Sequence, residues 1–89
     1  MVQLSQLMAD KPYPESGSVL YDSIAPLLTR DEKVALDLDG VIALPSMFLN
    51  ASIGRAANEF GADVVKKNVV FYHVSKTQAE RLKEYFARL

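Results

Sequence analysis

The chain reads as an α/β domain: a small mixed, largely parallel sheet of three to four strands packed by about three helices. Three observations predict this. Segments with helical apolar spacing alternate with segments of strand composition, in the order β-α-β-α-β-α. A helix between two strands implies a crossover connection, which sets those strands parallel. The third observation is size. Eighty-nine residues, 49% hydrophobic and 24% charged, suit one globular domain over 1–89, because domains typically need about 100 residues and rarely fewer than roughly 50.

Val2 and Leu4 alternate with polar neighbours, the pattern of a short edge strand. The stretch from Asp10 to Gly17 carries two prolines and a glycine, and is expected to lack regular structure. Ser18 then caps a helix whose apolar stripe is Leu20, Ile24, Leu27 and Leu28. Pro26 lies inside that stripe and is expected to kink or break the helix near its end. Lys33 to Asp39 follows as a strand, with Val34, Leu36 and Leu38 on one face and Ala35, Asp37 and Asp39 on the other; Gly40 closes it. From about Ser46 to Phe60 a second helix carries Leu49, Ile53, Ala56, Ala57 and Phe60 at helical spacing, and Gly61 is its C-cap. Gly54 inside it costs about 1 kcal/mol against alanine, which points to close packing there. Asn68 to Val74 has strand composition. Thr77-Gln-Ala-Glu80 reads as a capping box, opening a terminal helix with the stripe Ala79, Leu82, Phe86 and Leu89.

Composition excludes several functions. Ten basic against eleven acidic residues leave a net charge of −1. The chain therefore lacks the basic surplus that grips nucleic acid or an anionic membrane. Without cysteine there is no disulfide, thiolate metal site or cysteine nucleophile, and the single histidine, His73, excludes histidine pairs. His73 has no adjacent carboxylate or serine in sequence and reads as structural or surface-exposed. Lys66 and Lys67 read as a solvated face. Glu84 and Arg88 form an i,i+4 pair of a few tenths of a kcal/mol. No apolar run approaches the 18 or so residues of a membrane span, and the N-terminus lacks the basic and apolar regions of a signal peptide. The expectation is a cytoplasmic protein with no cofactor and no metal, small enough that an open sheet edge leaves room for a homodimer.

The string Val34-Ala-Leu-Asp37-Leu-Asp39-Gly-Val resembles the first motif of haloacid-dehalogenase-type phosphatases. There the first aspartate attacks phosphorus and binds magnesium, and the second shuttles a proton, roles that would fall to Asp37 and Asp39. Three features oppose a working enzyme. No later acidic pair completes an oxygen shell for Mg²⁺; a helix starts within about five residues of Gly40, where a flap is usual; and about three strands fit where those enzymes use five. The expectation is therefore no enzymatic activity.

A second resemblance extends over about residues 17–86. The strand Val34–Val41, the string Pro45-Ser46-Met-Phe-Leu-Asn50 leading into Ser52-Ile-Gly54, Phe60-Gly61, and Asn68-Val-Val-Phe71 occur in the order seen in the prokaryotic STAS-like family of unknown function. That family is a remote relative of anti-sigma-factor antagonists. The resemblance implies a regulatory protein-interaction module whose partner is a protein such as a histidine-kinase-like ATPase. In those antagonists a partner kinase phosphorylates a hydroxyl residue at the start of the helix after the central strand. Here Ser46 matches the first hydroxyl of that string and Met47 the phosphorylated position. The expected interaction surface is accordingly Ser46, Met47, Phe48 and Asn50. Ser46 also reads as a helix cap worth about 1 kcal/mol. A helix N-terminus welcomes anions, so a small-anion or nucleotide sensor is a third reading.

Overall fold

The computed structural model describes residues 1–89. β1 (Val2–Gln3), β2 (Val34–Asp37) and β3 (Val69–Tyr72) form a fully parallel sheet in the order β1-β2-β3. The register pairs Val2 with Leu36, Val34 with Val69 and Leu36 with Phe71. Partners in register share a face, so these five side chains turn together toward the helices. Gln3, Ala35, Val70 and Tyr72 take the other face and stay outside the core.

The helical layer consists of α1 (Leu4–Met8), α2 (Tyr13–Thr29), the rod α3 (Ser46–Leu49), a π-helical segment (Asn50–Gly54) and α4 (Arg55–Phe60), then α5 (Ala62–Asn68) and α6 (Lys76–Ala87). Leu20, Ile24 and Leu28 of α2 are buried as their spacing predicts, joined by Tyr21. They pack with Leu36, Phe48, Leu49 and Ile53 into one core. Gly61, at φ 95°, ends α4 as expected and at once starts α5.

Several expectations need correction. The stretch 10–17 is not irregular, because α2 already starts at Tyr13. Pro14 falls in its first turn, where no N–H is needed, so the proline begins the helix rather than blocking it. Ser18 is thus internal and caps nothing. Gly17 serves the seam between α2 and the rod. A Cβ on it would sit 2.6 Å from the Ala51 Cβ and 2.8 Å from the Phe48 carbonyl, so only glycine lets the two backbones come this close. Nor does Pro26 break α2, which continues to Thr29. Asp22, whose carbonyl loses its helical donor there, is on the exposed side of α2.

α1 and α5 lie outside the six-element reading, since five and seven residues are too few for a helical period to stand out. Asn68 belongs to α5 and not to the strand, and its buried side chain donates to Asp31 Oδ1 at 2.7 Å. The capping box of α6 is Ser75 with Gln78, two residues before the expected one. Gln78 decides the position, because its Nε2 also donates to the Val41 carbonyl at 2.7 Å and ties the helix start to the loop after β2.

Candidate interaction site

In open α/β sheets, ligands meet the carboxyl ends of the strands. Here those ends carry Asp37, Asp39, His73, the loop from Leu38 to Pro45 and the first turn of α3. Asp37 closes β2. Its Oδ1 accepts from the Asp39 backbone N–H at 2.9 Å and from His73 Nδ1 at 2.8 Å. The backbone bond from Asp39, then the one from His73, hold the Asp37 carboxyl below its ordinary pKa. The same hydrogen bond to Asp37, followed by its charge, raises His73. His73 sits just past β3 at φ 55°, a left-handed conformation that turns its ring back to β2.

Asp37 and Asp39 therefore stand on one rim, with Asp39 exposed. They gather no further ligand, since no group of three or more His, Asp or Glu side chains comes together. With one Asp37 oxygen already accepting twice, these residues do not fit the Mg²⁺ site that the phosphatase string would require.

The four residues expected on the interaction surface divide. Phe48 is 1% exposed and belongs to the core. Met47, one residue earlier, is 60% exposed. Ser46 is not the cap. The backbone of Pro45 takes that place without a side-chain bond, and Ser46 is the first helical residue. Its Oγ instead accepts from Arg81 Nη2 at 2.9 Å. Asn50 Oδ1 accepts from the Tyr85 hydroxyl at 2.8 Å. That same hydroxyl occupies the space a Cβ on Gly54 would need, at 2.6 Å, which is the close packing expected at this glycine. Burial raises the Tyr85 pKa, so the phenol stays a donor.

The π segment lets the rod meet α6 in this way. Arg55 N–H reaches back five residues to the Asn50 carbonyl, and the buried Ser52 hydroxyl returns to the Phe48 carbonyl at 2.8 Å. A shallow cleft of about 260 Å³ results, lined by Ser46, Asn50, Arg81, Tyr85, Arg88 and Leu89. Arg88 is paired with Glu84 at 3.2 Å. Arg81 bonds only neutral oxygens, the Ser46 hydroxyl and the Leu44 carbonyl. Beside them, Ile42 on the loop is 97% exposed.

The sequence reading does not assign four of these groups, Arg81, Tyr85, Arg88 and His73, to the site. Arg81, Tyr85 and Arg88 recur at i, i+4 and i+7, so their common face is legible once α6 is placed. What they face lies about 35 residues away and is not. His73 gains its carboxylate partner only because β3 is set beside β2 in register.

A family model describing a STAS-like domain of unknown function matches residues 16–79. The chain belongs to that family. This STAS-like match covers the seam at Gly17, β2 and β3, the whole rod and the capping box of α6. No curated protein and no solved structure matches the chain. No helix of this STAS-like domain is long and apolar enough to cross a membrane.

Proposed function

We propose that the chain is a non-enzymatic regulatory module that docks on a partner protein through the loop after β2 and the first turns of the α3 rod. One observation carries the reading. Ile42, which lines a cleft with Arg81, and Met47, next in sequence to the Ser46 that Arg81 bonds, offer large apolar side chains to solvent, and Arg81 is a guanidinium without a carboxylate partner. An apolar anchor next to an unpaired guanidinium is the composition of an interface centre. The family supports a regulatory role, and its kinship with anti-sigma-factor antagonists suggests a histidine-kinase-like ATPase as partner. An acidic residue of that partner would pair with Arg81 while its apolar neighbours cover Ile42. Met47 accepts no phosphate, so control would lie in the partner or its nucleotide state and not in phosphorylation at that position.

The test is calorimetric binding to purified histidine-kinase-like ATPases of the same genome. Ile42→Ser, Met47→Ser and Arg81→Ala should each weaken a measured complex. Unchanged affinity in all three would overturn this docking surface. Hydrolysis of an aryl phosphate with Mg²⁺ is expected from neither wild type nor Asp37→Asn. Activity present in the former and lost in the latter would overturn the non-enzymatic part.

The Arg81–Arg88 cleft favours a second reading, a small-anion sensor. At about 260 Å³ it falls just below the roughly 300–1,000 Å³ of ordinary ligand sites. Inorganic phosphate or ADP at 100 times its Kd would add about 2.7 kcal/mol of stability. A thermal shift of that size would favour sensing over docking.

A further inference from the structure

β3 is an edge strand, and the space beside it is shaped. The Tyr72 carbonyl accepts from Leu38 N–H, which directs the backbone of Val70 and Tyr72 toward β2. By strand alternation Val69 and Phe71 direct theirs outward. Val69 N–H is taken by the Val65 carbonyl of α5. The Val69 carbonyl and both polar groups of Phe71 therefore line an edge beyond which the sheet has no strand.

Above this edge α6 does not close down on the sheet. A cleft of about 440 Å³ opens between them, with Val69, Phe71, Val74, Leu82 and Phe86 among its walls and Lys66 and Lys83 at its rim. Phe71 and Phe86 meet edge to face at 5.8 Å and form its back. The cleft lies where side chains of a fourth strand, next to β3, would enter the core. Lys66 and Lys83 make no ion pair, whereas neighbouring Lys67 is paired with Asp31.

We propose that this edge accepts an extended segment of a partner protein as a fourth strand of the sheet, with apolar side chains and the carboxylates flanking them on the one face that meets the cleft. Backbone bonds to Phe71 and Val69 would hold it, its apolar side chains would fill the cleft, and the carboxylates flanking them on the same face would meet Lys66 and Lys83. The charge selects this occupant over a second copy of the chain. Two copies joined edge to edge at β3 would bring their unpaired lysines together, and like charges oppose such a contact. The surface is separate from the Ile42–Arg81 rim, so the two proposals stand or fall independently.

The probe is a synthetic peptide, acetyl-Asp-Thr-Val-Thr-Val-Thr-Glu-amide, whose valines and acids share one strand face, titrated into the isotope-labelled full chain and followed by amide NMR. Saturable shifts confined to 69–74 and the α6 face above them are expected. The exposed double variant Lys66→Glu/Lys83→Glu should bind about tenfold more weakly, or about 1.4 kcal/mol, and should prefer the same peptide with lysines in place of its acids. N-methylation along the peptide edge facing β3 should abolish binding, while N-methylation along the other edge should spare it. The proposal is overturned by unchanged affinity in the double variant, by shifts elsewhere, by indifference to N-methylation, by doubling of the particle mass through β3, or by no saturation up to about 1 mM.

Discussion

At the amino ends of β2 and β3 the chain is stapled. Asp31 accepts from Lys67 at 2.8 Å and from the buried Asn68 at 2.7 Å, and Lys33 donates to the Lys67 carbonyl at 2.6 Å. At the carboxyl ends the strands share one polar link outside the sheet, Asp37 with His73, and the loop beyond leaves Ile42 in solvent. Both ends use a carboxylate of the β2 side and a residue near β3. They differ in what surrounds the pair. Below, a buried amide with two acceptors makes the contact a part of the core; above, His73 stands mostly in water, and apolar side chains point away from the molecule. One end is tied into the core, and the other leaves apolar side chains in solvent.

The difference can be broken first at the seam that carries both ends. Gly17→Val would drive two methyl groups into the Ala51 side chain and the Phe48 carbonyl. Such overpacking costs about 3 kcal/mol, seen as a fall in Tm of about 15 °C. Asn68→Ala follows, since it removes the hydrogen bonds to Asp31 and to the Val64 carbonyl from a buried site. Denaturant unfolding should show a loss of about 2 kcal/mol. Ser75→Ala, which deletes the α6 cap, should cost about 1 kcal/mol in the same measurement.

The Asp37–His73 link should act through pH. His73 is raised, so its contribution is present below the ordinary imidazole value and fades as pH rises through the raised one. Asp37 is lowered, so its contribution is present above the ordinary carboxylate value and fades as pH falls through the lowered one. The Tm difference between wild type and His73→Ala should therefore be largest at about pH 4 to 6.5, shrinking on either side. A difference that grows toward alkaline pH would contradict the pairing. Smallest for the fold are Ile42→Ser and Met47→Ser, expected within about 0.5 kcal/mol of wild type. Stability changes well beyond that would mean that these residues serve the amino-end kind of role.

Much of the fold is legible in the residues. Val34, Leu36 and Leu38 announce a strand, and the spacing of Leu20, Ile24 and Leu28 announces a helix, because period and burial are local properties. Proline and glycine mislead for a local reason too: Pro14 and Gly17 read as breakers until a helix start and a neighbouring backbone give them other work. The candidate site is less legible. Met47 and Asn50 are exposed, but Phe48 beside them turns inward, and no rule of spacing separates Met47 from Phe48 before the rod has a core to face. The choice between the two overlapping capping boxes likewise depends on Gln78 finding the Val41 carbonyl.

By itself, then, the sequence determined a largely parallel α/β sheet and its helical cover, since these follow from patterns repeated along a few turns or strands, and the order of its motif strings carried the resemblance to the family. Tertiary structure alone decided that Asp37 meets His73, that Arg81 meets Ser46, that Tyr85 fills the space left by Gly54, and that β3 ends the sheet with an open cleft beside it. Each of those facts joins residues some 30 or more apart, or concerns a place that no residue occupies. Such relations arise only when the chain has closed on itself, because hydrogen bonds and cavities depend on distances in space that neither composition nor period contains.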